Sequence, residues 1–99
     1  MAAKSCRKID VLIAADAILN VLQDVKEPLS ITELSRLTGL SIDSVFRQVG
    51  TMSDLRWVEK IGDGYVLGMS MAVKWARRKS VLEGRINTAQ RELSELIGG

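Results

Sequence analysis

The sequence predicts a mostly α-helical domain with one small β-hairpin, a winged helix-turn-helix followed by a C-terminal helix or helices. Two observations support this fold class. Residues 30–55 contain two helical segments separated by a tight turn at Gly39, and residues 57–67 contain two strand-like segments around Gly62-Asp63-Gly64. We divide the chain into a basic N-terminal arm (1–8), the winged helix-turn-helix (9–68) and a C-terminal helical segment (69–99).

Composition limits the classes of function that fit the chain. The 99 residues form one small domain, and no apolar run approaches the ~18 residues of a membrane span. We therefore expect a cytoplasmic protein without membrane contact. Histidine is absent and Cys6 is the single cysteine, which excludes the usual zinc sites and histidine-based catalysis. No phosphate-binding glycine loop or carboxylate pair is present, so we expect neither enzymatic activity nor a cofactor, and we assign Cys6 no role.

The first helix is predicted over residues 9–25. Asp16 lies beside its apolar face, with the carboxylate expected in water because an unpaired buried charge is unfavourable. Pro28 marks the end of this segment, since proline cannot continue a helix and restricts the residue before it. The expected buried residues recur at three- and four-residue steps: Val11, Leu12, Ala15, Ile18, Leu19, Leu22 and Val25.

The helix-turn-helix is predicted from its capping residues. Ser30 and Glu33 have the spacing of a capping box, which starts the second helix. Gly39 can take the left-handed conformation that ends this helix and reverses the chain. Ser41 then caps a third helix that runs to about Leu55.

The third helix has an apolar side and a polar side. We assign Phe46 to packing, with contact to a thymine methyl or a sugar as the alternative. We interpret Gly50 as a site of close approach, because glycine costs about 1 kcal/mol relative to alanine within a helix. Gln48 flanks the apolar side, where its amide fits either adenine or solvent. The expected buried residues are Ile42, Val45, Val49, Met52 and Leu55. The candidate DNA-binding residues are Ser41, Asp43, Ser44, Arg47, Gln48 and Thr51.

The predicted hairpin is too small to be stable alone, so it must pack against the helices. Trp57, Val58 and Ile61 are its expected contacts. The tip carries Asp63 and neither lysine nor arginine, which disfavours phosphate contact there. Lys60 in the first strand is the residue of the wing that we expect to reach a phosphate.

The C-terminal segment is predicted to be helical, with Met69, Val73 and Ala76 on one face. Gly84 is expected to kink or divide the helix. Apolar residues then follow alternating four- and three-residue steps, as in a coiled-coil seam: Leu82, Ile86, Ala89, Leu93 and Leu96. Because the seam covers only about two heptads, two arrangements remain open, pairing between chains and packing onto the domain core.

Cations form two clusters, although the net charge is only +2. One cluster lies in the N-terminal arm, and the other lies in the C-terminal segment. We expect both clusters to supply phosphate contacts that weaken as salt rises, and we count Lys74, Arg77 and Arg78 among the candidate DNA-binding residues; the alternative for each cluster is a solvated surface. The clusters comprise Lys4, Arg7 and Lys8, and Lys74, Arg77, Arg78 and Lys79.

The ordered succession of these segments resembles the IclR-type winged helix-turn-helix domain. The resemblance covers about residues 9–79, and the tail to Leu96 is similar to the linker helix and following helix that lead into that family's effector-binding domain. We expect the protein to lack that domain. Asp43, Gln48 and Arg56 depart from the family pattern, with Arg56 replacing a glycine. The matching segments are Ala17-Ile18-Leu19 with Leu22, Pro28 to Leu34, Thr38-Gly39-Leu40, Ser44-Val45 with Arg47, Trp57-Val58-Glu59 and Tyr65 to Gly68.

The resemblance implies a dimeric bacterial transcription regulator that binds double-stranded DNA, with Asp43, Ser44, Arg47 and Thr51 on its recognition helix. From the residues themselves, we expect Arg47 to contact a base edge. Ser44 and Thr51 are expected to contact phosphates or bases. The second expected partner is another copy of the chain, bound through residues 69–99. Two alternatives remain open: a winged-helix module that binds another protein, and a DNA-binding component of phage packaging or transposition machinery.

Overall fold

The computed structural model describes residues 8–98. The predictions made for Lys4, Cys6 and Arg7, and thus for most of the N-terminal arm, concern residues outside this range. The predicted fold class is confirmed, because three helices, an antiparallel hairpin and a long C-terminal helix follow in the expected order. The elements are α1 (Asp10–Leu22), α2 (Ile31–Thr38), α3 (Ile42–Asp54), β1 (Val58–Ile61), β2 (Gly64–Leu67) and α4 (Met69–Gly98).

The end of α1 lies earlier in the chain than predicted. The helix ends at Leu22 instead of Val25. After Leu22 the chain leaves the helix and extends towards the hairpin. There Leu29 and Tyr65 exchange two backbone hydrogen bonds of 2.8 and 3.0 Å. These bonds attach the segment before α2 to the outer side of the hairpin.

The buried face of α1 also starts later than predicted. Val11 and Leu12 are exposed, so their assignment to the core was wrong. Burial on α1 begins at Ala14, and Val11 borders an open groove beside α3 instead of the core. Asp16 is exposed as predicted, and its carboxylate accepts a hydrogen bond from the Asn20 amide at 3.2 Å.

The helix-turn-helix forms through the predicted caps. The Glu33 backbone N–H donates to Ser30 Oγ at 3.2 Å, and the Ser30 N–H donates to a Glu33 carboxylate oxygen at 3.3 Å. Gly39 ends α2 with a φ of 81°, in the left-handed region. Ser41 accepts from the Ser44 N–H at 3.0 Å and so caps α3. These contacts fix the angle at which α3 leaves the turn.

The core lies where α1, α2 and α3 meet, with Ile18, Leu34 and Val45 at 0% exposure. On α3, burial is confirmed for Val45, Val49 and Met52. It was wrongly predicted for Ile42, Phe46 and Leu55, which are exposed. The buried stripe of α3 is therefore narrow, since Ile42 and Leu55 lie at the helix ends and Phe46 lies about 100° around the axis from Val45.

The hairpin pairs Val58 with Leu67 and Ile61 with Gly64, which leaves a two-residue turn at Gly62-Asp63. Of the predicted contacts, Val58 is buried and Trp57 is partly buried against the core. Ile61 is exposed because it lies at the tip of the wing, beyond the helices, so its predicted packing was wrong.

α4 leaves the hairpin through hydrogen bonds to the segment before β1. The Gly68 N–H donates to the Trp57 carbonyl at 2.8 Å, and the Ser70 N–H donates to the Arg56 carbonyl at 3.1 Å. The Met69 N–H donates to a Glu59 carboxylate oxygen at 2.9 Å. The direction of α4 is thereby set by backbone groups that follow α3.

α4 is one continuous helix of 30 residues, about 45 Å long. It passes through Gly84 without interruption, so the predicted division at this residue was wrong. A Cβ on Gly84 would meet no atom of the described chain within 4 Å, and a solvent-facing glycine of this kind weakens a helix without breaking it. None of the residues of α4 is buried. The seam therefore does not pack onto the core of its own chain.

Candidate nucleic-acid interface

The outward face of α3 carries a charged pair opposite the core. Asp43 and Arg47 lie on the side of the helix away from Val45 and Val49. Their side chains are 76% and 74% exposed, and Arg47 Nε lies 3.3 Å from an Asp43 carboxylate oxygen. Because an exposed pair of this kind contributes little stability, Arg47 can exchange Asp43 for another acceptor at small cost.

Three of the predicted DNA-binding residues lie on a flank of α3, not on its outward face. Ser44, Gln48 and Thr51 line a groove of about 380 Å³ between α3 and the first turns of α1. Arg47 borders the same groove and is thus the residue that joins this flank to the outward face. The other lining residues are Asp10, Val11, Ala14 and Leu40.

Ser41 lies at the N-terminal end of the same helix. Its side-chain oxygen is already engaged by the Ser44 N–H, while the residue as a whole is exposed. The hydroxyl hydrogen is the group that remains for an acceptor on a ligand. Ser41 thus combines a structural role as cap with a position beside the outward face.

The wing places Lys60 on an exposed strand, paired with Tyr65. Sequence reasoning missed Arg56 as a companion. Arg56 and Lys60 border one shallow depression, together with Ser53 near the end of α3. The available signal was a second cation within four residues of Lys60, at the junction of helix and wing.

The cations of α4 lie apart from α3, because the main contacts of α4 are with β1. Lys74, Arg77 and Arg78 are exposed and share one side of the helix by their spacing. Lys74 donates to Ser70 Oγ at 2.8 Å. Lys79 differs from these three, since its ammonium lies 2.6 Å from a Glu83 carboxylate oxygen.

The outward face of α3 belongs to the part of the chain that matches a known domain. The family model of the IclR helix-turn-helix domain matches residues 15–62, from α1 to the turn of the hairpin. No curated protein sequence matches the chain. Across residues 8–98, no helix combines the length and apolar character needed to cross a membrane.

Proposed function

We propose that this chain, whose residues 15–62 form an IclR-type helix-turn-helix domain, is a sequence-specific double-stranded DNA-binding protein. Domains of this kind belong to DNA-binding transcription regulators. The finer proposal is a small homodimeric regulator of bacterial or phage type, without enzymatic activity. It reads the major groove with the helix from Ser41 to Leu55.

The observation that carries the proposal is the position of Arg47. Its guanidinium stands on the exposed side of a 13-residue helix whose other side is held in the core. The diameter of a helix, about 10–12 Å, fits the major groove of B-form DNA, about 12 Å wide. A guanidinium on that face can donate two hydrogen bonds to guanine O6 and N7, the commonest specific contact of arginine.

Asp43 gives the face a second recognition element. A carboxylate can accept a hydrogen bond from cytosine N4, but it repels phosphates. The Asp43–Arg47 ion pair therefore favours a base-edge contact over a backbone contact, because the acid weakens attraction to phosphate at this point. Asp43→Asn should raise affinity for mixed-sequence DNA and reduce the preference for the specific site.

Ser44, Thr51 and Lys60 surround this face and supply groups for phosphate contacts. Hydroxyls and ammonium groups are typical donors to the DNA backbone, where they fix position without reading sequence. Arg56 adds a cation next to Lys60. Together these groups would hold α3 in the groove while Arg47 reads a base.

The partner proposed for α4 is a second copy of the chain. The uninterrupted helix continues the same three- and four-residue steps towards its N-terminus through Lys79, Trp75 and Ala72, so one charged residue interrupts the apolar seam. The seam has one isoleucine at position a, Ile86, and two leucines at position d, Leu82 and Leu96, a combination that favours two parallel strands. Position a is then Ala72, Lys79, Ile86 and Leu93, and position d is Trp75, Leu82, Ala89 and Leu96.

Charge supports this parallel pairing. In the same register, Arg78 occupies position g and Glu83 occupies position e, five residues later. Residues at g of one helix and e of its partner lie side by side in a parallel pair. Arg78 and Glu83 of two copies would thus form opposite-charge contacts on both sides of the seam.

Selection of bound duplexes from a random pool tests the proposal. We expect a consensus with two-fold symmetry, as a dimer with one recognition helix per half-site requires. Arg47→Ala should then weaken binding to the selected site by about 1–3 kcal/mol. Arg91→Ala is the matched control, since Arg91 is an exposed arginine of α4 outside the seam. A pool without enrichment, or equal binding by both variants, would contradict the proposal.

A further inference from the structure

The second flank of α3 is apolar and exposed. Ile42 and Phe46 are 56% and 62% exposed, and their four-residue spacing makes them neighbours along one side of the helix. The core of α3 is supplied by other residues, so packing within the chain does not account for a phenylalanine here. The opposite flank carries Ser44, Gln48 and Thr51, which makes the two flanks chemically distinct.

The surroundings of Phe46 leave its ring accessible. Gly50 lies one turn further along, and a Cβ there would meet no neighbouring group of residues 8–98 within 4 Å, so the close approach predicted at Gly50 was wrong. Side chains of a helix lean towards its N-terminus, so the ring extends over the side of Ile42. Phe46 and Arg47 are consecutive, so the ring and the guanidinium project about 100° apart around the axis.

Ile42 and Phe46 form an exposed apolar strip, and the groups next to this strip indicate what covers it. A strip of two side chains is far smaller than a stable protein–protein interface, which buries about 1,200–2,000 Å². It adjoins the charged face that Arg47 and Asp43 provide. In the major groove, the one apolar group on a base edge is the C5 methyl of thymine, which phenylalanine can contact.

We propose that Phe46, backed by Ile42, reads a thymine by packing against its C5 methyl, beside the base pair that Arg47 contacts. The proposal rests on the proposed function and adds a sequence preference to it. Arg47 specifies a guanine through hydrogen bonds, while Phe46 specifies a thymine through apolar contact. The operator would therefore contain a thymine within one or two base pairs of that guanine in each half-site.

Replacement of thymine by deoxyuridine tests the contact, because it removes the methyl group and leaves base pairing intact. Each thymine of the selected duplex is replaced singly, and binding is measured by fluorescence anisotropy. For the wild-type chain we expect at least one position per half-site where replacement weakens binding about fourfold, the effect of losing one buried methyl group. For Phe46→Ala this dependence should disappear, while Phe46→Leu should retain part of it.

The thermal unfolding of Phe46→Ala serves as the folding control, since truncation of an exposed side chain should leave stability nearly unchanged. If wild-type binding is insensitive to every replacement, or if Phe46→Ala keeps the same sensitivity, the inference is wrong while the proposed function stands. A wild-type chain that enriches no duplex from the random pool would overturn both. A Phe46→Ala variant that binds its duplex normally but loses a protein partner would show that the strip serves protein binding instead.

Discussion

Truncation of the seam at Ile86 should weaken the proposed dimer strongly. Ile86→Ala removes three carbon atoms, worth about 2.4 kcal/mol at about 0.8 kcal/mol for each buried methylene. Ile86 is 56% exposed in the single chain, so the dimer interface can bury a little over half of this side chain. The burial free energy lost per copy is therefore about 1.3 kcal/mol. A symmetric dimer loses it in both copies, so the dissociation constant should rise about 100-fold.

Sedimentation equilibrium over a dilution series measures this change directly. Val81→Ala is the matched control, because Val81 is 53% exposed on the same helix and lies outside the seam. Both substitutions raise helix propensity, so the difference between them isolates the interface. A wild-type chain that is monomeric at high concentration, or equal dissociation constants for the two variants, would refute the reasoning.

Four further predictions concern backbone positions of the fold and the register of the seam. Arg56 has a φ of 60°, a conformation that costs a non-glycine residue about 1–2 kcal/mol. Arg56→Gly should raise the urea midpoint, because this strain exceeds the ~0.5–1 kcal/mol that glycine costs in chain entropy, and a lowered midpoint would contradict the reasoning. Gly68→Ala should destabilise the chain by about 1–3 kcal/mol, because a Cβ would collide with the Arg56 carbonyl group. Gly50→Ala, in open space, should stabilise it by about 1 kcal/mol in the same titration. Lys79→Leu should tighten the dimer in sedimentation equilibrium but admit higher oligomers, since a charged residue at position a specifies a two-stranded state at the expense of stability.

Local chemistry made most of the fold predictable. The Ser30 cap, the left-handed Gly39 and the Ser41 cap depend on residues close together in the chain, and the structure contains all three. Strand pairing around Gly62 was predictable for the same reason. Caps and turns join residues that are only a few positions apart in the chain, so a single sequence is enough to predict them.

Burial was predicted less well, because it depends on where neighbouring elements end. Apolar periodicity identified the helix faces, but it could not show that the first turn of α1 borders an open groove beside α3, where Val11 stays exposed, or that Leu12 is exposed as well. Phe46 was assigned to packing from its residue type alone. The structure shows a core filled by smaller side chains of α3 and leaves the ring outside.

At Arg56 the sequence contained evidence of an unusual backbone conformation that our sequence analysis did not interpret. Arg56 replaces a glycine that is typical of the resembled family, and its φ of 60° lies in the left-handed region that favours glycine. The same residue also places a cation beside Lys60. The strained backbone of Arg56 is consistent with the DNA-binding role proposed for this position, because such strain is found at functional sites.

The junction between β1 and α4 links dimer geometry to DNA geometry. Gly68, Met69 and Ser70 donate backbone hydrogen bonds to the segment from Arg56 to Glu59, which directly follows α3. A rotation of α4 relative to α3 would break these bonds, so pairing of two α4 helices would also fix the separation of two α3 helices. Each dimer should therefore accept only one spacing between half-sites. Insertion of five base pairs, half a helical turn, should abolish dimeric binding, whereas a flexible junction would tolerate the insertion.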